Sequence, residues 1–294
     1  MNALQQYIDK ASTLIEAMPY IQAFRGKIVV VKYGGSAMGA NGETDTVLQD
    51  VVFMESVGMK PVVVHGGGPA IDQRLKELQI ETLRINGLRI TDKATMKVVE
   101  EVLFGVVNAG IVEAINGLGG QAVGVSTKDA GVMHVRKYFA PGPEGRSVDI
   151  GFVGDVVRID TRPLLELMGE GVIPVVAPIG RGVRGGSYNV NADTAAGEVA
   201  AALRAEKLVF LTDVKGIMRD PAVEDSLLST VYVKEVNELL ATNVINGGMI
   251  PKVNACVKAV KAGVRKTHVI DGRIPHSMLL EFFTDKGIGT QIVQ

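Results

Sequence analysis

Short runs of β-branched residues that lead directly into glycine are the feature that most constrains this fold. One run reads KIVVVKYGG and ends at Gly35, and the next reads PVVVHGGGPAI and passes through Gly66, Gly67 and Gly68. Such unbroken apolar runs are typical of strands buried on both faces. Glycine after a strand lets backbone N–H groups approach a ligand, and Pro69 suits the first turn of a helix whose dipole attracts anions. The pattern predicts an anion site at these strand ends.

Alternation of apolar strands with amphipathic helices continues through most of the 294 residues. Further buried strands are indicated by QAVGVS, VIPVVAPI, KLVFLTDV, THVIDG and GTQIV. Helices are indicated at 2–24, 45–57, from Pro69, from a Thr91 cap to about Gly117, in TRPLLELMGEG and NADTAAGEVAAALRAE, and at 234–241, 251–263 and 276–283. Residues 132–160 alternate polar and apolar side chains and predict a β-hairpin. This order predicts an α/β fold, an αβα sandwich around a central, mostly parallel sheet, plus an N-terminal helix.

The change from the predicted hairpin region to a second series of strands and helices suggests a lobe boundary. We expect an N-terminal helix in residues 1–25, an N-lobe in 26–204 and a C-lobe in 205–294. Parallel sheets bind ligands outside the carboxyl ends of their strands, where the glycine loops lie.

Composition argues against several classes of protein. A net charge of −1 gives no global field that would favour nucleic acid or an anionic membrane. No apolar run reaches the roughly 18 residues of a membrane span, and the first residues lack the pattern of a secretory signal. The single cysteine, Cys256, fits a reducing compartment and is interpreted as a small packed residue rather than a nucleophile. We expect a cytoplasmic protein without nucleic-acid or membrane partners.

Three charged residues accompany the glycine loops. Lys32 ends the first strand, where burying a lysine is unfavourable unless an anion lies nearby. Asp193 opens the Ala-rich helix, and Lys252 follows glycines in GGMIPKVNA. Two lysines, glycine amides and one acid are groups that stabilise a phosphoryl group in transfer. Simpler interpretations stay open here. Lys32 could extend its ammonium group to the solvent-exposed edge of the sheet, the glycines could form an ordinary turn, and Asp193 could serve only as an N-cap.

Arg89 in NGLRITD has the fork geometry that binds a carboxylate, although a surface arginine would explain it as well. The sequence contains no GxxxxGK[ST] motif, no kinase HRD or DFG motif, and no His or Cys spacing of a metal site. A carboxylate acceptor has an ordinary pKa of about 4.3 and is ionised at neutral pH without a general base. A site with lysines and no evident histidine base therefore favours a carboxylate acceptor over a hydroxyl acceptor.

Six motifs, read together, resemble those of the acetylglutamate kinases, a group within the amino acid kinase family. They are KYGGSAM, HGGGPAI, NGLRITD, NVNADTAAG, LTDVKGI and GGMIPKVNA, and the resemblance extends from about residue 26 to the end of the sequence. It implies the amino acid kinase fold and ATP-dependent phosphorylation of the side-chain carboxylate of N-acetyl-L-glutamate, a step of arginine biosynthesis. It also implies Mg²⁺ bound with ATP as co-substrate, no metal held by the protein and no tightly bound cofactor.

The resemblance assigns roles residue by residue. The implied catalytic residues are Lys32, Lys252 and Asp193, with the acid orienting both lysines. The implied substrate-binding residues are Gly67, Gly68, Arg89 and Asn189. The implied nucleotide-binding residues are Gly34, Gly35, Asp213, Lys215 and Gly216. The N-lobe would then bind the acyl acceptor and form the dimer, and the C-lobe would bind ATP.

The N-terminal helix and MPYIQAFRGK resemble the arginine-sensitive members, in which a similar helix joins dimers into a ring. The resemblance implies a homodimer, a hexamer built as a trimer of dimers, and feedback inhibition by L-arginine. The implied arginine site contains Tyr20, His268, Glu281 and Gly287. The alternative is a helix that packs on its own subunit. Two other functions also stay open: an amino acid kinase with glutamate or aspartate as acceptor, and a non-catalytic arginine sensor on the same fold.

Overall fold

The structure, a computed structural model, describes residues 3–35, 45–126, 131–142, 146–284 and 287–294. Residues 36–38 of the KYGGSAM motif and residues 143–145 of the expected hairpin lie outside the described residues. Within the described part of the chain, no helix combines the length and apolarity needed to cross a bilayer.

Helices and strands alternate along the chain as the sequence predicts. The helices are α1 Ala3–Phe24, α2 Thr46–Ser56, α3 Gly68–Glu77, α4 Lys93–Glu100, α5 Ala109–Gly117, α6 Arg162–Gly169, α7 Ala192–Ala202, α8 Val236–Ala241, α9 Met249–Lys261 and α10 Ser277–Phe282. A π-helical segment, Glu101–Asn108, joins α4 to α5. Two short 3₁₀ turns are Glu224–Ser226 and Val233–Glu235.

The strands form one large sheet and two smaller assemblies. They are β1 Ile28–Tyr33, β2 Lys60–His65, β3 Arg84–Ile85, β4 Leu88–Arg89, β5 Ala122–Val125, β6 Met133–Pro141, β7 Ser147–Ile159, β8 Ile173–Val176, β9 Ile179–Gly182, β10 Ser187–Asn189, β11 Lys207–Thr212, β12 Thr230–Tyr232, β13 Lys266–Asp271 and β14 Thr290–Val293. The main sheet has eight strands in the order β12-β14-β13-β11-β1-β2-β8-β5. Neighbouring strands are parallel except β13 and β14. The predicted mostly parallel sheet is confirmed.

Alternating side chains of the central strands supply two separate cores, one on each face of the sheet. Val30 and Phe210 belong to a core on one face that includes Val199 of α7 and Val253 of α9. Val31 belongs to the core on the other face, together with residues of α2, α5 and α10. Helices thus cover both faces, and the αβα sandwich is confirmed.

Beside the main sheet, β6 and β7 pair in antiparallel fashion and confirm the predicted hairpin. The sequence did not predict that β9 and β10 close this hairpin into a four-stranded barrel, in the order β10-β7-β6-β9. A second small hairpin, β3–β4, precedes α4. Residues of both assemblies line one cavity with Gly66, which follows β2, so both lie close to the carboxyl end of that strand.

Thr91 does not cap α4: the side chain of Asp92 accepts a hydrogen bond from the Thr95 N–H at 2.7 Å, and the Thr91 hydroxyl donates to the Arg89 carbonyl. Aspartate can cap a helix as well as threonine, so sequence alone could not place the cap to one residue.

The expected lobe boundary at 204 falls between α7 and β11, and the main sheet continues across it because β1 pairs with β11.

Candidate active site

Lys32, Asp193 and Lys252 form one charged cluster. Lys32 Nζ lies 3.0 Å from Asp193 Oδ1, and Lys252 Nζ lies 2.9 Å from Asp193 Oδ2. The exposed fractions of the three side chains are 11%, 9% and 22%. One carboxylate therefore holds two ammonium groups side by side, and the cluster carries a formal charge of +1. Such a cluster attracts an anion.

Asp193 is available to the lysines because another residue caps α7. The Asn191 side-chain oxygen accepts a hydrogen bond from the Asp193 N–H at 3.0 Å, so the reading of Asp193 as the N-cap is wrong. Close packing of α7 on α9 brings Lys252 within reach. At Gly197 an added Cβ would lie only 3.4 Å from the Ala255 Cβ.

The charge state of Asp193 follows from its surroundings. Burial alone raises the pKa of this carboxyl, but the charges of Lys32 and Lys252 and the hydrogen bonds from them outweigh burial. The pKa of Asp193 therefore lies below its ordinary value, and the carboxylate stays ionised at neutral pH.

A first cavity of about 250 Å³ lies on the Lys32 side of the cluster. It is lined by Lys32, Gly35, Gly66, Gly67, Gly68, Pro69, Ile71, Arg84, Gly87, Leu88, Arg89, Leu103, Val153, Pro178, Asn189, Val190, Asn191, Ala192 and Asp193. The loops after β1 and β2 thus meet at one cavity, as the strand-end pattern predicts. They touch closely: a Cβ on Gly34 would lie 2.9 Å from the Gly66 nitrogen.

Arg89 is a buried residue of this cavity, so the reading of it as a surface arginine is wrong. Its side chain is 4% exposed, and Nη1 donates to Asp72 Oδ1 at 2.5 Å. Nη2 donates to the Gly68 carbonyl at 3.3 Å. The second oxygen of Asp72 accepts from Arg84 at 2.8 Å. Asp72 therefore ties the β3–β4 hairpin to α3 and orients two arginines at one cavity.

Asn189 lies at the same cavity, at the end of β10. Its amide nitrogen donates to the Thr91 hydroxyl at 3.3 Å, which joins the small barrel to the residue that follows β4. All four residues expected to bind the substrate, Gly67, Gly68, Arg89 and Asn189, therefore line one cavity.

A second cavity of about 420 Å³ lies on the Lys252 side of the cluster. It is lined by Thr212, Asp213, Val214, Gly216, Ile217, Met218, Pro221, Val244, Asn246, Gly248, Met249 and Lys252. Gly216 must be glycine here, because its φ is 147° and a Cβ would lie 2.6 Å from the Thr290 hydroxyl.

Three of the residues expected to bind nucleotide lie elsewhere than in this second cavity. Gly35 lines the first cavity and Gly34 packs beneath it on Gly66. The Lys215 side chain is exposed, and its charge lowers the pKa of Asp271, after the larger contribution of hydrogen bonding from Arg273. The other two, Asp213 and Gly216, line the second cavity.

The two lysines therefore line different cavities, yet their ammonium groups meet on opposite oxygens of one carboxylate. The Lys32–Asp193–Lys252 cluster forms the wall that the two cavities share. A group passing from one cavity to the other would pass two fixed positive charges.

A third cavity of about 670 Å³ lies on α1, at the amino ends of β11 and β13. Tyr20, His268, Glu281 and Gly287 all line it, together with Ala23, Phe24, Glu206, Lys207, Ser229, Thr230, Arg265, Lys266, Phe282, Thr284 and Gln291. Glu281 accepts hydrogen bonds from His268 Nδ1 at 2.6 Å and from the Ile288 N–H at 2.7 Å. Tyr20 of α1 thus shares one cavity with three residues from the C-terminal part of the chain.

The charge of Glu281 is also set locally. Burial raises the pKa of this carboxyl. The hydrogen bond and charge of His268 and the backbone N–H donors together lower it by more, so the net shift of the pKa is downward. The pKa of His268 is lowered, chiefly by burial.

Sequence reasoning missed two residues that shape the first cavity. Asp72 had no visible signal, because a carboxylate on a helix surface is ordinary until its arginine partners are known. His65 precedes the glycines in HGGG, and its position directly before a glycine loop was a signal in the sequence that could have identified it. It is fully buried, and burial lowers its pKa to about 4, so the imidazole is neutral at physiological pH.

Metal-binding side chains do not cluster in the described residues: no group of three or more His, Cys, Asp or Glu side chains is placed to hold an ion.

Sequence and structure comparisons identify the family. Residues 27–271 match the amino acid kinase family. The chain is 53% identical over 291 residues to the acetylglutamate kinase of Heliobacterium modesticaldum, covering 98% of this chain and 99% of the relative. It is 52% identical over 288 residues to that of Pelotomaculum thermopropionicum, covering 97% and 98%.

Among solved structures, the fold is similar to that of N-acetylglutamate synthase from Neisseria gonorrhoeae, complexed with coenzyme A and N-acetyl-glutamate. The TM-score is 0.81 at 25% sequence identity over 97% of this chain. This chain spans only 63% of the length of that protein. Fold, family match and identities near one half over almost the whole length agree, and the chain belongs to the amino acid kinase family.

Proposed function

We propose that this protein transfers the γ-phosphoryl group of ATP to the side-chain carboxylate of N-acetyl-L-glutamate. The observation that carries the proposal is the shared wall of the two cavities, where Lys32 and Lys252 meet on Asp193. Membership of the kinase family supports ATP as the co-substrate, and the acetylglutamate kinases that are about half identical support the acceptor.

The first cavity suits an acceptor with two carboxylates. The buried guanidinium of Arg89 lines the cavity and is held in place by its hydrogen bond to Asp72. Arg89 would therefore bind the α-carboxylate of the acceptor. Asn189 would contact the amide part of the acceptor. The side-chain carboxylate would then lie near the glycines and Lys32, because these residues line the remaining wall.

The second cavity suits a nucleotide whose phosphates point toward Lys252. Asp213 and Gly216 line its far part, and Lys252 closes it at the shared wall. The co-substrate would be the magnesium complex of ATP, in which phosphate oxygens are ligands of the ion. Gly34 and Gly35 lie within the first-cavity loops, where the γ-phosphoryl group would arrive.

The reaction follows from these positions. A carboxylate oxygen of the acceptor attacks the γ-phosphorus, the bond from that phosphorus to the β–γ bridging oxygen breaks, and ADP leaves. No proton has to be removed from the ionised acceptor, which agrees with the neutral, buried His65 beside the glycines. Lys32 and Lys252 stabilise the charge on the moving phosphoryl group from two sides, and Asp193 keeps both ammonium groups in place.

An assay of ADP release tests this proposal. The purified chain is given ATP, Mg²⁺ and one of three acceptors: N-acetyl-L-glutamate, glutamate or aspartate. We expect turnover with N-acetyl-L-glutamate and a hydroxylamine-trappable acyl phosphate as product. Preferred turnover of glutamate or aspartate would assign a different acceptor, and no turnover with any of them would remove the kinase assignment.

We also propose that L-arginine inhibits the enzyme by binding in the third cavity. Tyr20, His268, Glu281 and Gly287 line this cavity, and Glu281 is an ionised carboxylate that a guanidinium can reach. The cations Lys207 and Lys266 on the same wall would face the α-carboxylate of the ligand. Tyr20 belongs to α1 and packs edge-on against Phe283, so α1 is part of the site.

A ring-shaped hexamer, a trimer of dimers joined by α1, is part of the same proposal. Several apolar side chains of α1 are exposed to solvent: Leu4, Tyr7, Ile8, Leu14, Ile15 and Met18. Burying them against a second copy of the chain would remove apolar area from water. Light scattering with and without L-arginine, alongside inhibition kinetics, tests both parts. A dimer whose rate does not respond to arginine would refute them.

The free, fully buried thiol of Cys256 fits a reducing compartment, and we propose that the enzyme acts in the cytoplasm.

A further inference from the structure

The glycine loop after β2 rests on a buried hydrogen-bond chain that the proposed reaction does not use directly. His65 Nδ1 lies 2.6 Å from the Gly66 carbonyl oxygen, and its Nε2 lies 3.1 Å from the side-chain nitrogen of Asn108. Asn108 also donates to the Val175 carbonyl at 2.9 Å. His65 and Asn108 are 0% and 1% exposed. These hydrogen bonds run from Val175 of the main sheet through the side chains of Asn108 and His65 to the Gly66 carbonyl of the loop.

The partners fix which imidazole nitrogen carries the proton. A backbone carbonyl can only accept, so Nδ1 must donate to Gly66. The amide nitrogen of Asn108 can only donate, and its second bond, to Val175, keeps that nitrogen turned this way. His65 Nε2 therefore accepts. Both arguments give the same neutral tautomer, with hydrogen on Nδ1.

The direction of the Gly66 carbonyl sets the direction of the next N–H. In a trans peptide the C=O and the following N–H point in opposite directions. His65 holds the Gly66 oxygen toward the protein interior, so the Gly67 N–H points away from His65. Gly67 lines the first cavity and His65 does not. The Gly66 N–H donates to the Tyr33 carbonyl at 2.7 Å, so Gly66 is held at both ends.

The π-helical segment is what brings two supports to this loop. Leu103 and Asn108 are five residues apart, and the i→i+5 bonding of a π-helix places such residues near one face. Leu103 lies against Gly67, where an added Cβ would be within contact of its Cδ2, and Asn108 reaches His65. Gly124 leaves room for the Asn108 side-chain oxygen. In an ordinary α-helix, residues five apart point to different sides.

We infer that His65 is a positioning residue, which through its Nδ1–H holds the Gly66–Gly67 peptide so that the Gly67 N–H faces the transferring phosphoryl group, and that Asn108 fixes the tautomer that makes this possible. The inference rests on the proposed function. A peptide free to rotate would present an acceptor oxygen, rather than a donor, to the developing negative charge.

Four variants test the inference by steady-state kinetics with N-acetyl-L-glutamate and MgATP. His65→Leu removes the donor, and we expect kcat to fall about ten- to a hundredfold while KM for MgATP changes less than about threefold. Asparagine carries its amide nitrogen where imidazole carries Nδ1, so His65→Asn should restore most of kcat. Asn108→Leu, which frees the tautomer, should lower kcat by a smaller factor. His134→Asn, on β6 outside the cavity, is the matched control and should behave as wild type.

Crystal structures of the wild type and the His65 variants give a readout independent of activity. We expect the Gly66 carbonyl to rotate in His65→Leu and to keep its direction in His65→Asn. An unrotated carbonyl, or a kcat for His65→Leu within about twofold of wild type, would overturn the inference. A wild-type protein that does not phosphorylate N-acetyl-L-glutamate would instead refute the proposed function, while the carbonyl direction would still decide the role of His65. If His65→Leu does not fold, Asn108→Leu supplies both readouts.

Discussion

Lys252 Nζ lies 2.9 Å from Asp193 Oδ2, on the carboxylate oxygen that Lys32 does not contact. This arrangement uses the two oxygens of a single acid to set the spacing of two cations that come from β1 and α9. The cations also line different cavities, so the acid holds together two groups that belong to the two cavities.

Replacing Lys252 by alanine should lower kcat much more than it changes either KM. Its charge matters most when negative charge develops on the transferring phosphoryl group, and we expect a loss of about a hundred- to a thousandfold. Initial-rate kinetics over both substrates measure this. Lys258→Ala is the control, because this lysine lies on the same helix with its side chain 66% exposed. A kcat within about threefold of wild type would show that Lys252 has another role.

Arg89→Lys should raise KM for the acceptor by about ten- to a hundredfold and leave KM for MgATP nearly unchanged. Lysine keeps the positive charge but cannot donate to Asp72 and bind a carboxylate with the same planar group. Initial rates at saturating MgATP give the comparison. Arg136→Lys, with a side chain 71% exposed on β6, serves as control. If the acceptor KM stays constant, the α-carboxylate is bound elsewhere.

Gly34→Ala should reduce kcat/KM at least about tenfold without unfolding the protein. Its Cβ would lie 2.9 Å from the Gly66 nitrogen, a backbone atom that can move only with the whole loop. The substitution therefore separates the two glycine loops. Gly169→Ala in α6 is the control, because nothing lies within 4 Å of the added Cβ. Kinetics together with thermal unfolding distinguish a displaced loop from lost stability, and equal kinetics for both variants would contradict the prediction.

Lys207 gives the protein a pH-dependent stability. Burial is the main cause that lowers its pKa to about 8, from an ordinary value of 10.5. Between these two pH values the unfolded chain binds more protons than the folded chain, so this lysine makes the free energy of unfolding rise with pH. Below about pH 8 both states bind the proton, and the penalty for burying the charge is fully present.

Urea unfolding of the wild type and Lys207→Met from pH 7 to 10.5 measures this effect. The variant should be more stable at pH 7, by roughly 1 to 3 kcal/mol, and the difference should shrink as pH rises. Loss of the ring contacts that Lys207 makes with Phe24 and Phe282 works against the gain. Lys258→Met controls for removal of an exposed lysine. A pH-independent difference would mean that Lys207 keeps its charge throughout.

Gly287→Ala should raise the L-arginine concentration for half-inhibition about tenfold or more. The residue has a φ of 63°, and its Cβ would lie 2.7 Å from a carboxylate oxygen of Glu281, the group proposed to bind guanidinium. Gly263→Ala is a matched control: its φ is also positive, at 107°, but nothing lies within 4 Å of the added Cβ. Inhibition curves measure the effect. Equal shifts in both variants would point to backbone strain rather than to the Glu281 contact.

Periodicity predicted the elements that are long and locally determined. Apolar runs identified β1, β2, β8, β11 and β13, and helical spacing identified α1, α7 and α9. Short strands such as β9, β10 and β12 escaped, because three or four residues carry too little pattern and their pairing depends on distant partners. The antiparallel direction of β14 is likewise decided by β13 and β12. The π-helix has no compositional signal of its own.

At the candidate site, charged residues beside glycine could be found in sequence, but their supporting partners could not. Lys32 stands out because burying a lysine at a strand end is unfavourable without a nearby anion, and Lys252 stands out because it follows glycines at a helix start. Asp72 and Asn108 are ordinary helix residues until folding places them under Arg89 and His65. Supporting contacts join elements far apart in the chain, so only the tertiary structure reveals them.

A single strand spans the distance between the second and third cavities. β11 begins at Lys207, which lines the third cavity, and ends at Thr212, which lines the second. At about 3.3 Å per residue its ends are roughly 17 Å apart. Hydrogen bonds to β1 and β13 on both sides forbid β11 to slide, since a one-residue slip would turn every side chain to the opposite face. Along β11 itself, a change at one end can therefore reach the other only if the strand twists or bends together with β1 and β13.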